Sequence, residues 1–199
     1  NSFRVLSEEQ VDQFLQHGYL VVKGCLDLDL ARRWTDRAYE RLGFSKDDPA
    51  TWDTDFAWMY PENRLPVRQI SERAWLAICD VVGGEERIEP AVLGVEGHYS
   101  SINSFEWSDA FVVNLRHGRG ETWCPPSADV EGWHQDGNYF RHFLNSREQA
   151  LLTILLWSDV AHQGGGTFIA PDSVRHVARY LADHPEGVSA VPGDEIIQQ

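Results

Sequence analysis

The chain is poor in cysteine, in positive charge and in long apolar runs, and each shortage closes off a class of function. Its three cysteines, Cys25, Cys79 and Cys124, are far apart and odd in number. They form no CxxC pair and no disulfide framework, so inert thiols in a reducing compartment are expected. Against 31 acidic residues stand 17 basic ones, a formal net charge of −14. Nucleic-acid binding needs a basic surface that displaces counterions, so no nucleic-acid partner is expected. No apolar run reaches the roughly 18 residues of a membrane span, and nothing resembles a signal peptide. A soluble, cytoplasmic protein without a membrane partner is the resulting expectation. The first residue is Asn1 rather than Met, which reads as a trimmed or partial chain.

Aromatics, in contrast, are plentiful. Eight Trp, nine Phe and six Tyr occur in 199 residues, a length that supports one domain with a real core. Such side chains fit a packed interior, a substrate cleft or both. Trp52, Phe56, Trp58 and Tyr60 lie among acids and prolines in an aperiodic stretch, 47–66. Near them are Arg64 and Arg68. Core packing and an apolar or anionic pocket are both open for this group. Two basic clusters, Arg116-His117-Arg119 and Arg175-His176-Arg179, are either solvated surface or a local anion site.

Local signals divide the chain into a helical part, about 1–90, and a strand-rich part, about 91–199. Ser7-Glu8-Glu9-Gln10 is a capping box that opens a helix, and Gly18 closes it. Leu6 and Val11 are placed for a hydrophobic staple. Tyr19 to Gly24 reads as a strand, Leu28 to about Leu42 as a helix, and Ser71 caps a helix to about Val82 that ends at Gly83-Gly84. Beyond Ala91, short apolar runs alternate with turns: Ala91–Val95, Ala110–Leu115, Ala150–Trp157 and Thr167–Ala170. That texture predicts an antiparallel barrel or jelly roll. Asp172-Ser173 is placed to cap a short helix through Leu181.

The chemistry-bearing motif is Trp133-His134-Gln135-Asp136. Two residues apart on a strand, side chains share a face. His134 and Asp136 can then present an imidazole nitrogen and a carboxylate oxygen to one point. One His, one carboxylate and a second His make the facial triad of non-haem Fe(II) oxygenases. The open face of that triad takes a bidentate 2-oxo acid and O2. H-x-D is also a common chance pattern, and a hydrogen-bonded polar pair at a strand end reads the same way.

After the motif come an apolar run to Trp157-Ser158-Asp159, the turn and strand Gly164-Gly165-Gly166-Thr167-Phe168-Ile169-Ala170-Pro171-Asp172-Ser173, and a His-bearing helix. With Leu6-Ser7-Glu8-Glu9-Gln10, Phe14 and Gly18-Tyr19-Leu20-Val21-Val22, this order resembles the phytanoyl-CoA dioxygenase family of Fe(II)/2-oxoglutarate-dependent oxygenases. The resemblance is loosest over about 47–105. It implies a single oxygenase domain over 1–199 with a cupin-like double-stranded β-helix behind N-terminal helices. It implies Fe(II), 2-oxoglutarate and O2, and oxidation of a small organic substrate with release of succinate and CO2. His134 and Asp136 match the first two iron ligands. Asn114 and Thr167 match positions that face 2-oxoglutarate, although an inward polar residue satisfied by backbone is the favoured reading of each. Related halogenases carry a small residue where Asp136 stands, so the carboxylate points to hydroxylation, desaturation or another oxidative rearrangement.

The family's second His and its 2-oxoglutarate-binding Arg lie well downstream of this motif. His142, His162, His176 and His184 lack the expected setting and read as surface or capping residues. Pro192-Gly193-Asp194 begins a suitable turn five residues before the end. The third ligand and the Arg are therefore expected beyond Gln199, leaving the β-helix incomplete. The other reading recruits His176. Two ligands rarely hold labile Fe(II), so the 199-residue chain is expected to bind it poorly. An inactive β-helix binding protein and a cupin-like metal enzyme of other chemistry stay open. Neither substrate identity nor oligomeric state is legible.

Overall fold

The computed structural model describes residues 3–88, 92–95, 99–103, 105–115, 122–137, 140–146 and 151–189. The helical signals are realised closely. Helix α1 spans Glu8–His17, with Ser7 and Gln10 forming the reciprocal capping box and Gly18 the left-handed C-cap. Leu6 is buried beside it. Helix α2 spans Leu28–Leu42, capped by the Asp27 side chain and ended by Gly43. A 3-10 turn at Pro49–Thr51 leads to β1, Phe56–Trp58, and β2, Arg64–Pro66. The short α3, Val67–Ile70, runs into α4, Glu72–Val82. Ser71 accepts from the Ala74 N–H to cap α4, and Gly83 ends it. A carboxylate on α4 also clasps the N-terminus, since Asp80 accepts from the backbone N–H groups of Arg4, Val5 and Leu6.

The strands β3, Val92–Val95, β4, Tyr99–Asn103, β5, Glu106–Ser108, and β6, Val112–Asn114, follow. They form antiparallel two-stranded ladders: β1 with β6, β2 with β5, and β3 with β4. Further on, β7, Arg141–His142, pairs with β8, Val188–Ser189, and α5, Ser173–Asp183, lies between them in sequence. Asp172 stands at the N-cap of α5, but its side chain makes no cap bond.

The core is built on the helical part. Trp34 and Ala38 of α2 pack with Ile70 and Phe111. Val67, Trp75 and Cys79 form a second cluster with Phe105 and Trp107 packed against it. Trp157 brings the later chain to this core, with ring centroids 4.9 Å from Trp34 and 5.7 Å from Phe111.

The expected mainly-β jelly roll does not form. Among the described residues, helix outweighs strand, every ladder is two-stranded and no barrel closes. The runs at Tyr19–Gly24, Leu151–Trp157 and Thr167–Ala170 form no helix and no ladder. A strand exists only where a neighbour takes up its N–H and C=O groups, and β-propensity alone does not supply one. Leu152, Ile154 and Leu156 show the consequence, alternating along the chain at 52–66% exposure. The total accessible surface, 14550 Å², far exceeds the roughly 9,500 Å² of a compact monomer of this mass. No helix among the described residues is long and apolar enough to cross a membrane.

Candidate metal centre

The His134–Asp136 segment is set up by the turn before it. The Val130 N–H donates to the Ser127 carbonyl at 3.2 Å, and the Trp133 indole N–H donates to the same oxygen at 2.7 Å. Gly132 and Gly137 bracket the motif at φ 96° and 95°, a left-handed backbone that L side chains avoid. Between them, residues 133–135 belong to no helix and no ladder. The expected strand is absent, yet its alternation persists. His134 Nε2 lies 3.0 Å from Asp136 Oδ1, while Gln135 turns the other way to His142.

Each side chain of the motif is anchored. His134 Nδ1 is 2.7 Å from the Gly132 carbonyl and donates to it. This fixes the ring and leaves Nε2 directed at the carboxylate. A backbone-anchored Nδ1–H with a free Nε2 is the usual arrangement of a metal-ligating histidine. Gln135 Nε2 donates to His142 Nδ1 at 3.0 Å, and His142 Nε2 donates to the Gly137 carbonyl at 2.8 Å. His142 is only 2% exposed, so the surface or capping role expected for it is wrong. Phe140 and His142, two apart, are both buried with ring centroids 4.6 Å apart. The alternation in Phe140-Arg141-His142 carried that signal.

The donor set fits a divalent metal in part. Cis ligands about 2.1 Å from an octahedral ion stand about 3.0 Å apart. The observed Nε2–Oδ1 separation matches this, and it equally matches a hydrogen bond when Nε2 carries a proton. The Gly132 carbonyl, chiefly, holds the His134 imidazole above its usual range. The Asp136 carboxylate adds to this, and partial burial opposes it. Both side chains are accessible, at 69% and 49%. Among the described residues no third His, Cys, Asp or Glu completes a metal-binding group with them.

The remaining candidates are elsewhere. Asn114, on β6, donates from Nδ2 to the Gly165 carbonyl at 3.2 Å, so it meets the glycine turn that precedes Thr167. Thr167 itself is exposed. His162 lies in an exposed turn, and His184 stacks on Tyr180 at the end of α5. His176 lines a cavity with Gln135 and His142 rather than joining His134. Arg116, His117 and Arg119, and the turn at Pro192-Gly193-Asp194, lie outside the described residues. Near the aromatic stretch, Trp58 and Tyr60 are exposed. Arg68 is engaged by Glu85 and lies over the Trp75 ring. Compared with known proteins, the chain matches no family model, no curated protein and no solved structure.

Proposed function

We propose that the chain carries the His134–Asp136 part of an Fe(II) site in a 2-oxoglutarate-dependent dioxygenase that hydroxylates a small organic molecule. The observation that carries this reading is the convergence of His134 Nε2 and Asp136 Oδ1 at 3.0 Å, with Nδ1 held by Gly132. The ordered motifs that resemble the phytanoyl-CoA dioxygenases supply the reaction class. In that reaction one oxygen atom of O2 enters a substrate C–H bond to give an alcohol. The other enters 2-oxoglutarate, which leaves as succinate and CO2.

His134 contributes a neutral nitrogen donor and Asp136 an anionic oxygen donor, the mixture that suits Fe(II). When bound, the metal and 2-oxoglutarate supply O2 activation. Gln135 acts as a positioning residue, because its bond to the buried His142 holds the backbone from which both donors project. Asn114, which meets the Gly165 carbonyl, and Thr167, just after that turn, are the candidates to bind 2-oxoglutarate. The carboxylate of Asp136 favours hydroxylation over halogenation.

The test is succinate formation by the full-length protein that requires both added Fe(II) and 2-oxoglutarate. His134→Ala and Asp136→Ala are each expected to abolish it while leaving the thermal transition in place. Turnover retained by either variant refutes the ligand assignment. Asp136→Gly is expected to lose hydroxylation and open a halide position. A parent protein that binds 2-oxoglutarate without turning it over would support a binding protein instead.

A further inference from the structure

Behind the His134–Asp136 pair, on the side to which Gln135 turns, lies a cavity of about 420 Å³. It is walled by α5 and the β7–β8 ladder. Val177 and Leu181 of α5 and Val188 of β8 make its apolar surface. Gln135, His142, His176 and Tyr180 bring polar groups to it. It is open to solvent on one side, and its volume and mixed apolar and polar lining fall within the range of small-molecule sites.

We propose that this cavity binds a small organic acid with an apolar body, at a site separate from the His134–Asp136 pair. The polar groups there are rich in donors. Gln135 Nε2 uses one hydrogen on His142 Nδ1 and retains a second. His176 offers a ring N–H and Tyr180 a phenol. His142 gives its own N–H to the Gly137 carbonyl, so it braces Gln135 and walls the cavity. In a chain with 31 acidic residues, none of the described residues lining this cavity is acidic. A carboxylate head therefore meets the donors of Gln135, His176 and Tyr180 and no carboxylate among the described lining residues, while an alkyl body covers Val177, Leu181 and Val188. Charged hydrogen-bond acceptors gain more from such donors than neutral ones do. An occupant would rest one residue behind each of His134 and Asp136, against the side chain that positions them.

The experiment is calorimetric titration of the iron-free 199-residue chain with octanoate, octan-1-ol and 2-oxoglutarate. Saturable binding of one octanoate is expected, about tenfold tighter than octan-1-ol. His176→Leu, at an exposed position, should weaken octanoate about tenfold. Val177→Trp, which fills the apolar end, should abolish binding. Asp136→Ala should bind octanoate as the parent does, which separates this site from the proposed iron chemistry. Saturation absent at millimolar octanoate overturns the proposal. So does unchanged affinity in His176→Leu, equal affinity for octan-1-ol, or displacement of octanoate by 2-oxoglutarate. Should Val177→Trp fail to fold, His176→Leu decides alone.

Discussion

Two aspartates, Asp109 and Asp136, show how differently this chain uses the same side chain. Asp109 is 1% exposed and fully occupied. Its Oδ1 accepts from the Glu62 and Asn63 N–H groups at 2.7 and 2.8 Å, and its Oδ2 accepts from Asn63 Nδ2 at 2.7 Å. Arg41 of α2 stands 3.6 Å from it and also donates to the Tyr60 carbonyl. One buried carboxylate thus pins the loop before β2 to the β5–β6 corner and to α2. Asp136 has a His134 nitrogen beside it and half its side chain in solvent. A buried charge persists only with its partners, whereas an exposed carboxylate next to an imidazole keeps coordination capacity in reserve. Saturation marks Asp109 as structural, and unspent capacity sets Asp136 apart from it.

Removing each carboxylate should separate these roles. Asp109→Ala leaves two backbone N–H groups and the Asn63 amide without their acceptor and takes a buried countercharge from Arg41. It is expected to cost about 3 kcal/mol in urea unfolding. Asp136→Ala should stay within about 0.5 kcal/mol of the parent. A loss of similar size in both variants would break the contrast.

Gly132→Ala comes next. Nothing lies within 4 Å of the added Cβ, so only the left-handed backbone resists it, at about 1–2 kcal/mol. The expected outcome is a locally shifted His134 ring signal with the α2 core unchanged. Ser71→Ala, which removes a cap from the well-formed part, should cost about 1 kcal/mol in the same unfolding measurement.

The smallest effect is the protonation of His134. Its folded value is raised, so the associated stability is full below about pH 6.5. It is lost as pH rises through the raised folded value. The exposed ring makes this a spectroscopic effect more than a stability effect. An NMR titration should find a midpoint above the ordinary histidine value. Asp136→Asn should lower it only in part, because the Gly132 carbonyl is the larger cause. A full return to the ordinary value would reverse that order. Protons and metal compete for Nε2, so Fe(II) affinity should weaken as pH falls through the same range.

The helical part was legible because its signals are local. Ser7, Gln10 and Gly18 of α1, and Ser71 and Gly83 of α4, act within one turn of the residues they cap. The strand runs at Tyr19–Gly24, Leu151–Trp157 and Thr167–Ala170 failed for the opposite reason, while those at Ala91–Val95 and Ala110–Leu115 became β3 and β6. Ala57 and Val113 pair across β1 and β6, but Leu151–Trp157 finds no such neighbour among the described residues, and pairing is a long-range property. The site was half legible. Spacing alone brought His134 and Asp136 together, even without a strand. The role of His142 was missed because its value lies in Gln135, a contact set by the β7–β8 ladder and α5. Of the two readings of Asn114, the one satisfied by backbone is met, since its amide donates to the Gly165 carbonyl.

The row of Leu152, Ile154 and Leu156 also governs how the protein behaves in a tube. These side chains are sticky, and the net charge of −14 is the shield that keeps copies apart. At 0.15 M salt the electrostatic reach is about 8 Å, and at 1 M about 3 Å. The shield thins with every addition of salt while the apolar row is unchanged or strengthened. Dilute buffer of moderate pH should keep the chain dispersed, and acidification towards the sequence pI of about 4.8 should clump it.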